Sequence, residues 1–220
     1  MKKAELAKRL DVTYIPTRAT WDQLNQHLET ARQRKWRSFI GPRCWIPHYV
    51  KALEGTGVLA GSGCCDINGS DNNHIKCYTV KYNAEHGCDE VDMVMNIGYF
   101  NSGMYRELVD DVKTVKAAAA PAVLKCAVEV GYWSEEALKQ IAELMVKADV
   151  AYVKTGTWGA PRAPETAQVQ LLREALPDCI RIKVAPFDGT LADLEAFLQA
   201  GADCFGVTPD RAEALWKEAE

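Results

Sequence analysis

The chain has 220 residues, 48 % of them apolar and 25 % charged, with a net charge of −4. That balance is ordinary for a globular chain, and an acidic total with no basic stripe argues against nucleic acid as a partner. No apolar stretch approaches the roughly 18 residues a bilayer-spanning helix needs, and the basic start MKKAELAKRLD lacks the apolar run of a secretory signal, so the cytoplasm is the expected setting and no membrane partner is expected.

Short β-like runs alternate with longer helical patterns from end to end. In chain order the strand-like runs fall at 12–15, 38–41, 58–65, 90–96, 123–129, 150–155, 180–185 and 204–207. The first helical pattern between them, TWDQLNQHLETARQR, opens with a Thr-x-x-Gln capping box at Thr20 and Gln23. SEEALKQIAELMVKA follows an N-cap serine at 134, and APETAQVQLLREAL carries Pro164 near its first turn. TLADLEAFLQAGA runs from Thr190 to a glycine stop at Gly201. With no linker or low-complexity segment, eight βα units predict one domain over residues 1–220, an α/β fold of the (β/α)8 TIM-barrel type. The other candidate, an open doubly wound sheet, lacks a G-x-G-x-x-G after its first strand.

Eight cysteines, at 44, 64, 65, 77, 88, 126, 179 and 204, include no C-x-x-C pair, and the four histidines are scattered. Most of the cysteines stand in apolar runs and read as reduced, structural thiols. No metal site is expected.

Alternate residues of a strand face opposite sides. In LKCAVE this sets Lys125 and Glu129 against Leu124, Cys126 and Val128; in VDMVMN it sets Asp92 against Val91 and Met93. In AYVKT it sets Lys154 against Val153, and in IRIKVA it sets Lys183 against Ile182 and Val184. In a barrel the apolar side meets the helices and the charged side points to the mouth, where active sites are built. Lys125, Lys154 and Lys183 recur at 29-residue intervals, one βα unit each, so they are expected at similar depth on successive strands. A single lysine at a strand end ordinarily snorkels to water; three on one side, with Asp92 and Glu129 beside them, point to a site. Clustered ammonium groups disfavour one another's charge, which leaves one amine free to attack a carbonyl. The resulting Schiff base stabilises a carbanion at the adjacent carbon, while Asp92 and Glu129 orient lysines and move protons. This is the chemistry of a class I aldolase, which needs neither metal nor cofactor.

The segments CDEVDMVMNIGYFNSGMY, LKCAVEVGYWSEEAL, ADVAYVKTGTWGA and IKVAPFDGTLADLEAFLQAGADCFG resemble, in order and over nearly the whole chain, those of the deoxyribose-phosphate aldolases. The resemblance implies a (β/α)8 barrel that reversibly splits 2-deoxyribose 5-phosphate into acetaldehyde and glyceraldehyde 3-phosphate. It implies Lys154 as the Schiff-base lysine, Lys183 as the neighbour that depresses its pKa, and Asp92 as a proton-relay carboxylate. Asp11 and Thr13 match the family's first-strand Asp-x-Thr. By the same resemblance Lys125, Glu129, Thr155, Thr157 and Gly189 fall at the substrate, a small aldehyde or sugar. The family's barrels commonly associate, so a homo-oligomer is an open expectation, though no surface patch in the sequence points to one.

The departures gather at the substrate end. Where the family reads K-x-x-G-G-[IV]-R-T after its seventh strand, this chain reads Lys183-Val184-Ala185-Pro186-Phe187-Asp188-Gly189-Thr190. After the eighth strand a Gly/Ser run is replaced by Val207-Thr208-Pro209-Asp210, and K-T-S-T-G has become KTGTW, with Gly156 and Trp158. Two prolines and two carboxylates stand where a phosphate dianion favours free N–H groups and positive charge. Asp188 and Asp210 either oppose a phosphate or cap the helices that follow. Three readings remain: the family's ordinary activity, an aldolase that accepts a non-phosphorylated or differently substituted aldehyde, and a barrel that binds without catalysis.

Overall fold

In a computed structural model that describes all 220 residues, every strand-like run forms a strand parallel to the next. β1 (Leu10–Thr13), β2 (Ser38–Ile40), β3 (Leu59–Gly63), β4 (Glu90–Val94), β5 (Val123–Ala127), β6 (Tyr152–Lys154), β7 (Arg181–Val184) and β8 (Cys204–Val207) follow chain order around the sheet, and β8 pairs with β1 to close it. The fold is a (β/α)8 barrel. β1 begins at Leu10, earlier than the apolar run suggests, because Leu10 and Asp11 pair with Phe205 and Gly206 of β8. A buried carboxylate on that strand interrupts the apolar pattern without interrupting the ladder.

Ten helices surround the sheet: α1 (Lys3–Ala7), α2 (Trp21–Arg34), α3 (Ile46–Leu53), α4 (Asn73–Glu85), α5 (Ile97–Asn101), α6 (Tyr105–Ala119), α7 (Glu135–Lys147), α8 (Thr166–Ala175), α9 (Leu191–Gln199) and α10 (Pro209–Glu218). α1, too short to read from periodicity, precedes the barrel, and the carbonyl of Ala7 at its end accepts from Arg37 N at the foot of β2. The expected caps form at Thr20, whose hydroxyl accepts from Gln23 N, and at Ser134, which accepts from Ala137 N. α8 starts two residues after Pro164, since Glu165 and Gln168 build a capping box there.

The apolar strand faces and the helices share one core of 55 buried residues that includes Phe39, Val91, Leu124, Val153, Ile182 and Phe205. All eight thiols are free. Burial pushes the Cys126 thiol well up and the Cys204 thiol up to about 12, as fits small hydrophobes rather than nucleophiles. No helix is long and apolar enough to cross a membrane. The polar strand faces, by contrast, all point inward, and they make the site.

Candidate active site

Lys154 and Lys183 are register partners on neighbouring strands, so their side chains rise on the same face. Lys125 is offset from that pair. Its partner is Tyr152, two residues below Lys154. Equal spacing along the chain therefore does not give equal depth, because the count runs through helices and loops of unequal length, while height in the barrel is set by strand pairing together with strand tilt. The three lysines form a graded series: Lys125 is sealed off, Lys183 is 1 % exposed, and Lys154 is 13 % exposed at the mouth.

Carboxylates link the series. Asp92 Oδ2 accepts from Lys154 Nζ at 2.9 Å and from Lys183 Nζ at 3.0 Å. Asp11 Oδ2 lies 2.9 Å from Lys183 Nζ and accepts from Lys125 Nζ at 2.8 Å. Beneath them Glu90 accepts from Lys125 at 2.5 Å and from both terminal nitrogens of Arg37, whose Nε donates to Asp11. Burial by itself would raise the Asp92 carboxyl, but Lys154, Lys183 and Lys125 hold it well below the usual carboxylate range. Asp11 is held down in the same way by Lys125, Lys183 and Arg37. Burial would likewise lower Lys183, yet Asp11 and Asp92 outweigh it and raise its pKa, so Lys183 stays an ammonium. Four cations (Lys125, Lys154, Lys183 and Arg37) thus face three carboxylates, Asp11, Glu90 and Asp92.

Glu129 does not offset that excess. It follows β5 in the left-handed conformation (φ 53°, ψ 58°), fully buried, and neither carboxylate oxygen has a hydrogen-bond partner. Burial pushes its carboxyl up. Gly156 makes room for it: a Cβ at that position would stand 3.1 Å from Glu129 Oε2. A carboxyl whose folded pKa lies above its unfolded value of about 4.3 destabilises the fold increasingly as pH rises past that value. Glu129→Gln is therefore expected to raise Tm near pH 7.5 by about 2–4 °C, the shift given by ~1 kcal/mol in a chain of this length, and by less near pH 4.5. Equal losses at both pH values in thermal melts would instead assign Glu129 a role as hydrogen-bond acceptor.

The other expected site residues divide. Thr13 and Thr157 join Lys154 and Lys183 in lining a cavity of about 90 Å³, whose walls include Ile15, Trp158 and Pro186. Asp11 and Lys125, expected at the substrate, lie sealed below that cavity and touch only other charges and the Tyr152 ring. Thr155 is buried and ties β6 to the loop after β7, its hydroxyl donating to Ala185 O and accepting from Ala185 N. Gly189 lies off the cavity, packed so tightly that a Cβ would meet Phe187 and Asp193 at 2.9 Å. Neither new aspartate caps a helix: Thr190 caps α9 and Thr208 caps α10, while Asp188 binds Arg211 at 2.7 Å. Two members of the ionic cluster went unmarked in the sequence. Glu90 was legible, two residues before Asp92 on the same strand face; Arg37 precedes its strand and carries no periodic signal.

No family model matches the chain. The deoxyribose-phosphate aldolase of Streptococcus equi subsp. zooepidemicus is 30 % identical over 201 residues, 91 % of each chain, and that of Metamycoplasma hominis is 30 % identical over 203, 90 % of this chain and 92 % of that one. The chain belongs to the deoxyribose-phosphate aldolase family. It is an aldehyde-lyase. Solved structures agree on the fold: an aldolase designated QR15 superposes with a TM-score of 0.90 at 20 % identity, covering 97 % of this chain and 95 % of that one. The deoxyribose phosphate aldolase of Aeropyrum pernix, described as tetrameric, superposes at 0.86 with 23 % identity, covering 99 % and 92 %.

Proposed function

We propose that this member of the family is a class I aldolase that works through a Schiff base on Lys154, cleaving or forming a deoxyribose-like aldol with acetaldehyde as the small partner. The observation that carries the reading is the shared carboxylate: Asp92 Oδ2 bridges Lys154, at the open mouth, and Lys183, enclosed beneath it. Four cations against three carboxylates leave one unit of charge unbalanced, and it is relieved when an amine gives up a proton. Lys183 has two carboxylates on it and Lys154 one, so Lys154 is the less tightly held of the two and, at the mouth, the one a carbonyl carbon can reach.

The neutral Nζ then attacks the substrate carbonyl carbon to give a carbinolamine, and loss of water gives the protonated imine. In the cleavage direction a proton leaves the hydroxyl on the carbon β to the imine carbon, the bond between the α and β carbons breaks, and its electrons pass toward the imine to form an enamine. The acceptor aldehyde departs. Protonation of the enamine carbon and hydrolysis return acetaldehyde and the free lysine. Asp92, within hydrogen-bond reach of Nζ, is the group that takes and returns protons. Lys183, kept positive by Asp11 and Asp92, holds Asp92 in place. The lysine nitrogen is itself the electron sink, so the reading needs no cofactor.

Acetaldehyde and borohydride test it directly. The expected product is protein carrying one ethyl group on Lys154, found by intact mass and peptide mapping, and the adduct disappears in Lys154→Ala. An adduct that persists in Lys154→Ala, or none in the unaltered protein, overturns the assignment.

A further inference from the structure

Barrel enzymes commonly grip phosphate with backbone N–H groups in the loops after strands seven and eight, at the N-termini of the helices that follow. In this chain several of those donors are spent or missing. After β7, Pro186 has no N–H, and Phe187 N donates to Gly206 O at 2.9 Å while its ring packs against Phe205 and Phe197. At the start of α9, Thr190 N goes to Asp193 Oδ2 and Leu191 N to Glu218 Oε2, both at 2.8 Å, and Asp193 N to Thr190 Oγ1 at 3.2 Å. At the start of α10, Pro209 again lacks a donor, and Arg211 N is held by Thr208 Oγ1. Arg211, the cation of these loops, has its guanidinium on Asp188. Asp188 and Asp210 add negative charge to the same end of the barrel, which repels a dianion.

The space above Lys154 has the opposite character. Ile15, Trp158, Pro186 and Val207 give the small cavity apolar walls, and it adjoins a groove of about 730 Å³ in which Ile15 and Trp158 face polar side chains such as Gln23, Gln26 and His27. Ile15 is 52 % and Trp158 61 % exposed, so two large apolar side chains stand open to solvent beside the reactive lysine. Exposed apolar surface at a pocket rim marks a place where a ligand is covered. The groove's charged side chains include Arg18 and Asp210, one of each sign.

We infer that the acceptor aldehyde of this site is uncharged, its non-reacting end resting against Ile15 and Trp158 rather than held as a phosphate; this rests on the Schiff-base reading above. With acetaldehyde as donor, kcat/KM is to be compared for butanal, D-glyceraldehyde and D-glyceraldehyde 3-phosphate. The uncharged acceptors are expected to match or exceed the phosphate ester. Trp158→Ala is expected to raise KM for butanal by about tenfold, the scale of losing one apolar contact surface, with the Lys154 adduct still formed. Asp188→Ser, which frees the Arg211 guanidinium, is expected to improve the phosphate ester severalfold. A preference for the phosphate ester of about tenfold (~1.4 kcal/mol) or more with the Lys154 adduct intact overturns the inference alone, and loss of that preference in Arg18→Ala would locate the phosphate on the far side of the groove. Absence of the adduct overturns the Schiff-base reading and this inference with it.

Discussion

Asp92→Asn is expected to lower kcat by roughly 10²–10⁴-fold, the range lost when a positioned acid–base group is removed, while the barrel stays folded. The amide can still accept from Lys154 and Lys183 through its oxygen, so the geometry of the pair survives. What it cannot do is take a proton from a substrate hydroxyl or return one to the enamine carbon. The two half-processes should therefore separate. Borohydride should still capture acetaldehyde on Lys154 in the variant, though more slowly, whereas exchange of the acetaldehyde methyl protons with solvent deuterium should fall in step with kcat. If kcat stays within about tenfold of the unaltered protein, protons move by another route and Asp92 only positions the lysines. The pH dependence has a definite sign. The three lysines hold the Asp92 carboxyl well below its ordinary range, so between pH 7 and pH 4 it remains a carboxylate, and any loss of activity across that interval comes from protonation elsewhere.

The inward charges were legible in the sequence for a simple reason: a lysine one residue out of phase with its strand's apolar face points the other way, into the barrel. Alternation alone puts Asp92, Lys125, Lys154 and Lys183 inside, and the register bears it out for each strand. Depth was not legible, because it depends on how neighbouring strands are paired and tilted. That is why Lys125, in step with the other two along the chain, is sealed while Lys154 reaches the mouth. Asp11 shows the converse limit. Its residue type and position suggest a substrate contact, but three cations converge on it from β2, β5 and β7 and leave it no open face. The loops at the mouth were the least legible part. Asp188 and Arg211 are 23 residues apart and meet only because the loops after β7 and β8 lie side by side. Composition reveals there that phosphate donors are scarce, but only the folded chain assigns the N–H groups of Thr190, Leu191 and Arg211 to Asp193, Glu218 and Thr208.

Lys125→Met is expected to be the most destabilising single change in the barrel interior. Lys125 is fully buried, its ammonium shared between Asp11 at 2.8 Å and Glu90 at 2.5 Å and set 4.9 Å from the Tyr152 ring centre. Methionine fills much the same volume, so the cavity term is small and the cost is electrostatic: Glu90 keeps only Arg37, and Asp11 keeps Arg37 and Lys183. Removing one partner of a buried ion pair costs about 3–5 kcal/mol, a large part of the roughly 5–15 kcal/mol that holds a domain together. The matching fall in Tm is about 10–15 °C for a chain of this length. Because Glu90 is left with one cation where it had two, Glu90→Gln in the same chain should recover part of the loss, with a coupling of about 1–3 kcal/mol in the double-mutant cycle. A cost below about 1 kcal/mol, or strict additivity, would mean that water reaches the barrel floor and screens these charges. Acid probes the same network from the other side. Asp11 and Asp92 have folded pKa values below their unfolded ones, so their contribution is complete above about pH 4 and is lost as pH falls through the lower, folded values. Lys125→Met loosens the hold on Asp11, so its acid unfolding should begin at higher pH than that of the unaltered chain.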